Sequence, residues 1–419
     1  MSSVTLNTFR ESGGISIMSI VNEISQVRPI THIDLFAGPG GICTGFKAAG
    51  LKTVLAVEYV DSCAETYQAN HPDVEVIVKD IREVKDTEIK ESLRKINLSS
   101  VDVVSAGFPC ETFSTAGSNS RVYNDHRNFL YKEAIRIADA VNAKILVMEN
   151  VPAFMSKKFE HGSDIKVLDL LVNDLERAGF KYHDYDVLNA ADYGVPQKRQ
   201  RFILWASKTI PVNKTMFNGN RLEKKVTVRE ALSDLPHIGP DSEANAYTSA
   251  PLNQYQKLLR SLGDWIPRQN GLVWSLSYHI TTKHRPTTIE RFRLIAQGEG
   301  LKDLFMKLTA TKIKSLQKKK VLPQKWYIQR NQRLLPDTQA MTVTSHCLDE
   351  MLHPFLDRGL SVREAARLQS FPDWYDFKGG PLICPHMYKT QDKYEQIGDA
   401  VPPLLAKHIG RSLIAILSK

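Results

Sequence analysis

Many of the features that quickly settle what a chain does are missing from these 419 residues. The five cysteines, Cys43, Cys63, Cys110, Cys347 and Cys384, form no CxxC pair and stand at no zinc spacing from a histidine. That argues against a disulfide-stapled domain or a zinc module, predicts no metal site and fits a reducing cytoplasm. No apolar stretch is read as long enough to cross a bilayer, and the start, up to Val27, lacks both a basic n-region and an unbroken apolar core, so it reads as an untargeted tail with Met18 as an alternative start. There is no internal repeat and no low-complexity tract, which excludes solenoids and extended disordered arrays. The two commonest phosphate-binding glycine motifs, GxGxxG and the P-loop with its Gly-Lys-Ser/Thr ending, do not occur.

What is present is an ordinary globular composition, 42% hydrophobic and 24% charged, with a length sufficient for two or three packed units. Lys and Arg outnumber Asp and Glu by 55 to 46, giving a net charge of +9. A basic excess suits a polyanionic partner such as nucleic acid, and it serves plain solubility equally well.

Short β-branched runs alternate with longer amphipathic ones from Thr31 to Ala206, the pattern of a doubly wound α/β sheet. Strands are expected at His32–Phe36, Thr53–Val57, Val74–Val78, Val101–Ser105, Lys144–Met148, Lys181–Leu188 and Arg201–Trp205, with helices such as Asn128–Val141 and Ile165–Ala178 between them. The alternation then stops. From Ser207 the sequence becomes irregular, with scattered prolines and tryptophans and the basic run Lys312-Ile-Lys-Ser-Leu-Gln-Lys-Lys-Lys320, which on sequence grounds reads as a solvated face. Order returns at Ser361-Val-Arg-Glu364, which has the spacing of a capping box opening a helix, and at an apolar helix from about Pro402 to Leu417 that is expected to pack back on the first unit. This gives a tail at 1–30, an α/β unit at 31–206, a smaller irregular unit at 207–390 and a returning segment at 391–419.

Asp34-Leu-Phe-Ala-Gly-Pro-Gly-Gly41 joins the first strand to a helix, the position where α/β sheets bind nucleotide-like ligands. A plain tight turn would use similar glycines. The next two strands, however, each end at an acid, Glu58 and Asp80, suited to ribose hydroxyls and to an adenine amine respectively, although either could be a solvated strand end. Val101-Asp-Val-Val-Ser-Ala-Gly-Phe-Pro-Cys110 delivers a thiol to the same sheet edge. A lone cysteine is more often a small core residue; here Glu149-Asn-Val151 and the arginines of Gln197-Lys-Arg-Gln-Arg201 supply the acid and the cations that a thiolate nucleophile needs.

Together with Arg363-Glu-x-x-Arg-Leu-Gln-Ser-Phe-Pro372 and Gln396-Ile-Gly-Asp-Ala-Val-Pro402, these segments resemble, in order and spacing, the motif set of the bacterial DNA cytosine-5 methyltransferase family. The match covers nearly everything outside the tail and Ser207–Leu335. The resemblance implies a Rossmann-like domain that binds S-adenosylmethionine and a smaller target-recognition domain that reads double-stranded DNA. It further implies that Cys110 adds covalently to C6 of a flipped-out cytosine, that Glu149 holds the ring N3 and exocyclic amine, and that Arg201, helped by Arg199, grips O2. Phe36, Ala37, Gly38, Gly40, Glu58, Tyr59, Asp80, Ile81, Pro109, Leu130, Asp399 and Ala400 would line the donor pocket. The loop Ser114–Arg127 would close over the extruded base. Such a chain acts as a cytoplasmic monomer, either as the modification partner of a restriction endonuclease encoded nearby or as a stand-alone bacterial or phage methylase.

Two positions depart from the family pattern. Glu111 stands where glutamine usually follows the Pro-Cys pair, and Asp399 stands where asparagine is usual. Three rival readings differ in what they require. A transfer-RNA methylating relative carries a Cys-Phe-Thr tripeptide, absent here; an inactive DNA-binding relative would have lost Cys110, Glu149 or the arginines; a Rossmann oxidoreductase needs GxGxxG.

Overall fold

The computed structural model describes residues 28–109, 129–159, 164–219, 221–266, 269–326, 328–385, 387 and 389–419. Cys110, Glu111 and the loop Ser114–Arg127 lie outside the described residues. All seven expected strands form: β1 Thr31–Leu35, β2 Lys52–Glu58, β3 Glu75–Val78, β4 Val103–Gly107, β5 Ile145–Asn150, β6 Tyr182–Asn189 and β7 Gln200–Ser207. They make one sheet in the order β3-β2-β1-β4-β5-β7-β6. β1 to β5 run parallel, and β7 enters antiparallel between β5 and β6. The order reverses at β1, the switch point beside which open α/β sheets place their ligands.

The strands read as nearly unbroken apolar runs because both faces of the sheet are covered. Alternate residues feed different cores: Val103, Ile145, Val147, Ile203 and Trp205 join the core that holds the C-terminal helix. Val104, Leu146, Met148, Phe202 and Leu204 pack instead against the helices Asp86–Lys95, Tyr131–Ala140 and Val167–Arg177. The helix expected from Ile165 thus begins two residues later.

The C-terminal helix Pro403–Leu417 packs closely along the helix Gly41–Ala49, as the apolar face of the segment led one to expect. Close approach depends on Gly45, where a Cβ would fall 2.3 Å from the Pro403 carbonyl oxygen. The run Lys393–Leu417 is also long and apolar enough, by length and composition alone, to cross a bilayer, contrary to the expectation that no stretch is. Two features account for it: the run is two helices, Lys393–Asp399 and Pro403–Leu417, that are counted together across a proline break, and 67% of the apolar window is buried inside the protein.

Between β7 and residue 360 the chain carries short helices and two small sheets, β8 Glu243–Ala246 with β9 Ser275–Ile280 and β10 Gln332–Arg333 with β11 Met351–Leu352. The capping box forms as its spacing predicts. Ser361 Oγ accepts from the Glu364 amide at 3.1 Å, and the Ser361 amide donates to Glu364 at 2.8 Å. The helix it opens, Val362–Leu368, is buried throughout and joins the irregular region to the sheet. Arg367 reaches Asp234, Asp373 and the Tyr247 hydroxyl, and Tyr255 donates its hydroxyl to the Arg367 carbonyl.

Candidate functional site at the sheet edge

Beyond β1 the chain turns sharply through Phe36, Gly38 and Gly40, all at positive φ. Gly40, at φ 96°, is also where a Cβ would sit 2.8 Å from the Tyr375 hydroxyl, so both conformation and space require glycine. The Ala37 amide binds the Val57 carbonyl at 3.1 Å, and the Tyr375 hydroxyl donates to the Pro39 carbonyl, holding the turn between β2 and the C-terminal part of the chain. The space beyond Gly38 is open for 4 Å around the position of a Cβ. A ligand can therefore lie directly on this backbone.

Glu58 ends β2 and organises the turn. It accepts from the Gly38 amide at 2.6 Å, from Tyr59 at 2.8 Å and from Val60 at 2.7 Å, while burial pushes its carboxyl up to about 7 against those bonds. Three of the four acceptor sites of a carboxylate are thus occupied, and one on Oε2 remains for a ligand hydroxyl. Asp80 caps the turn Ile81–Glu83 and is gripped by the forked side chain of Arg82, with 2.9 Å to Nε. Ile81 and Leu130 are buried nearby in the same core, and Pro109 is half-buried.

At the C-terminal side of the site, Ala400 is buried and Asp399 is exposed, with one carboxylate oxygen accepting from Gln391 Nε2 at 3.0 Å. Gln391 also fastens the preceding segment to the start of the helix Asp61–Asn70, because its amide donates to Ser62 Oγ at 2.8 Å. Lys389 lies over the Tyr59 ring, 5.3 Å from the centroid. Cys384, Asp392 and Glu395 bring three ligand-type atoms within 4.8 Å of one another. The Asp392–Glu395 capping box and a hydrogen bond from the Cys384 amide to Asp392 at 3.2 Å account for that approach.

The acid and one of the arginines meet as expected. β4 and β5 pair so that Gly107 stands opposite Glu149, and β7 sets Ile203 across from Glu149 on its other side. Arg201 Nε lies 2.8 Å from Glu149 Oε1, with 12% and 14% of the two side chains exposed, so the pair is dry but reachable. Burial raises the Glu149 carboxyl, and Arg201 and then Arg199 pull it back. Asn150 ties the two strand ends together through Nδ2 to the Phe108 carbonyl at 3.3 Å.

Arg199 is placed differently from what a hand on the pyrimidine requires. It is fully buried and donates to the carbonyls of Val343 at 2.6 Å, Gly398 at 2.8 Å and Ala400 at 3.1 Å. Gln197 and Gln369 complete this brace: Gln197 donates to the Leu368 carbonyl at 2.7 Å, and Gln369 to those of Ile397 and Ala400 at 2.8 and 2.7 Å. A guanidinium committed to three carbonyls shapes the Gly398–Ala400 turn.

Sequence reasoning assigned no role to Asp34, although it opens the first motif. Asp34 is buried, accepts from Ser105 Oγ at 2.7 Å, and leaves Oδ2 without a hydrogen-bond partner among the described residues. Burial, reinforced by Glu58 and opposed by Ser105, pushes it up to about 7. Ser105 in turn contacts His32 at 2.8 Å, and His32 contacts Thr53 at 2.9 Å, so a polar ladder crosses β4, β1 and β2 beneath the turn. A polar residue at alternate strand positions of an otherwise apolar sheet was the available signal.

Comparison with known proteins bears directly on this edge. Residues 30–415 match the family described as C-5 cytosine-specific DNA methylase. The chain is 34% identical over 387 residues to the Type II methyltransferase M.DdeI of Desulfomicrobium norvegicum, covering 91% of this chain and 88% of that one. It is 31% identical to the Type II methyltransferase M1.HphI of Haemophilus parahaemolyticus, with 92% and 87% covered. A crystal structure of a prophage-encoded E. coli chain assigned as a DNA modification methyltransferase superposes with a TM-score of 0.68 at 26% identity, covering 93% of this chain and all of that one. The chain belongs to the C-5 cytosine-specific DNA methylase family and is a DNA cytosine-5 methyltransferase with a Rossmann-like methyltransferase fold.

Proposed function

We propose that this enzyme methylates C5 of a cytosine extruded from a specific double-stranded sequence, through a covalent bond between Cys110 and C6. The observation that carries the reading is the pairing of Gly107 with Glu149 and of Glu149 with Arg201 at one sheet edge, with Cys110 three residues beyond Gly107 in the chain. A cytosine ring is too poor a nucleophile at C5 to take a methyl group unaided. When the Cys110 thiolate forms a bond to C6, the ring electrons move toward C5, and the ring nitrogen and O2 gain charge. Glu149, kept protonated more readily by its burial, donates to N3, and Arg201 stabilises the charge on O2. C5 then takes the methyl, its proton leaves to a base, and the carbon–sulfur bond breaks to restore the thiolate. None of this chemistry fits inside a base stack, so the target nucleotide is flipped out, with Ser114–Arg127 as the proposed closing loop.

S-adenosylmethionine supplies an electrophilic methyl on a sulfonium. The residues present fit it: the open backbone at Gly38, the unused acceptor of Glu58 and the acidic Asp399 suit an adenosyl group bearing a cationic tail. Phe36, Ala37, Gly40, Tyr59, Asp80, Ile81, Pro109 and Leu130 complete the proposed pocket, and Arg199 acts on it by holding Ala400 rather than by touching the base. The region from Ser207 to Leu335 is proposed to read the target sequence. A restriction-modification setting is the proposed role, as in the Type II relatives, with the chain acting in the cytoplasm as a monomer.

Bisulfite sequencing of DNA from cells expressing the chain tests this reading. Protected cytosines within one short sequence are expected, and Cys110→Ser should abolish them while duplex binding persists. Methylation that survives the substitution would overturn the covalent route.

A further inference from the structure

The excess positive charge of the chain resides in one place. Between Leu304 and Pro336 there are seven lysines, two arginines and no acid, and the remaining residues balance at 46 basic and 46 acidic. The stretch belongs to a small helical lobe in which the helices Pro286–Arg293, Leu301–Lys307 and Ala310–Lys318 close over Phe292, Leu304, Leu316 and Val321. Three of the nine cations are paired within the lobe and its flanks: Lys307 with Glu299, Arg330 with Asp349, and Arg333 with Asp357. The other six, Lys312, Lys314, Lys318, Lys319, Lys320 and Lys325, are exposed and form no ion pair among the described residues.

A solvated surface helix is built differently. The helix Asp86–Lys95 has acids in its first turn and Arg94 and Lys95 in its last, matching the helix dipole. The helix Ala310–Lys318 has no acid to pair with its lysines: Lys312 sits in the first turn, where the dipole disfavours a cation, Lys318 sits in the last, where the dipole favours one, and Lys314 and Lys318 stand one turn apart as like charges. Leu316 is its only buried residue. No acid within the helix offsets the repulsion among these lysines, and a polyanion outside it would.

We propose that the face from Lys312 to Lys325 holds backbone phosphates of duplex DNA and supplies affinity independent of base sequence, separate from the reading of the target. This rests on the proposed duplex-DNA substrate. A face of this kind releases counterions from the DNA and makes binding steeply salt-dependent without selecting bases.

The test uses the full chain and its triple variant Lys312→Gln, Lys314→Gln, Lys318→Gln, which keeps good helix formers at three exposed positions. Fluorescence anisotropy on a mixed-sequence duplex, between about 50 and 200 mM salt, gives the slope of log affinity against log salt. At about 0.9 per phosphate contact, the variant's slope should be shallower by about 2.7, so that it loses about 40-fold less affinity across that range than wild type does. Bisulfite sequencing should find the same methylated sequence, and thermal unfolding should be no lower than in wild type. Parallel salt plots would overturn the proposal, as would a changed target sequence or a wild-type preference for single-stranded RNA that the triple variant loses. Should the triple variant melt early, Lys319→Gln with Lys320→Gln carries the same slope test, with about 1.8 expected. A wild-type chain that binds no duplex at all would instead sink the substrate reading on which the proposal stands.

Discussion

Removing Arg201 should make the stability of this protein depend on pH in a particular direction. The pair with Glu149 is 2.8 Å long, and only 12% and 14% of its side chains reach solvent. Even with Arg201 in place, burial holds the Glu149 carboxyl above its ordinary range. In Arg201→Leu the chief opposing charge is gone, so the carboxyl rises further. A group whose folded pKa is raised contributes stability below its unfolded pKa and loses it as pH climbs through the folded value. The variant should therefore fall furthest behind wild type on the alkaline side, where a buried carboxylate stands without its partner. Breaking a fully buried pair costs about 3–5 kcal/mol; partial exposure places this one near about 3 kcal/mol at alkaline pH. The assay is urea unfolding of both proteins from pH 5 to 9. The deficit should shrink toward pH 5, where protonation removes the unpaired charge, and adding Glu149→Gln to the variant should flatten the profile. A deficit equal at every pH and untouched by Glu149→Gln would refute the argument.

Asp34, raised to about 7 by burial, favours the fold while protonated, so its contribution is lost as pH rises from about 4 to 7; Asp34→Asn should weaken that part of the pH dependence in denaturant melts. Gly45→Val should cost several kcal/mol, roughly the scale of severe overpacking, because the Pro403 and Lys407 backbone atoms that crowd a Cβ there cannot move aside; differential scanning calorimetry would register it. Arg199→Met should weaken binding of S-adenosylmethionine, measured calorimetrically, far more than it weakens duplex binding, since the guanidinium fixes the Gly398 and Ala400 carbonyls. Equal losses of both would place Arg199 on the base after all.

The sheet was legible because its strands are buried on both faces and stand out as β-branched runs between amphipathic helices. The reversal of β7 was not legible, since strand direction depends on which neighbour a strand finds and not on its own residues. Glu149 and Arg201 could be brought together from sequence through their motifs. Arg199, two residues away on the same segment, could not be told from Arg201, because its partners Val343, Gly398 and Ala400 are more than a hundred residues distant and are carbonyls with no side-chain signature. The grip of Arg82 on Asp80 is local, but an arginine two residues after an acid carries no signal in sequence that it turns back to hold it. Gln391, which orients the unusual Asp399, lies outside every motif. The lysine run reads in sequence as a solvated face, because sequence does not show that its lysines are exposed with no ion pair among the described residues.

The covalent step can be observed directly with duplex DNA carrying 5-fluorocytosine at the target, because fluorine cannot leave C5 as a proton does and the Cys110–C6 bond then has no route to break. With S-adenosylmethionine present, the account predicts a protein–DNA complex that survives denaturing electrophoresis for wild type and is absent for Cys110→Ser. An equally abundant complex from the serine variant, or none from an enzyme that methylates the ordinary duplex, would contradict it.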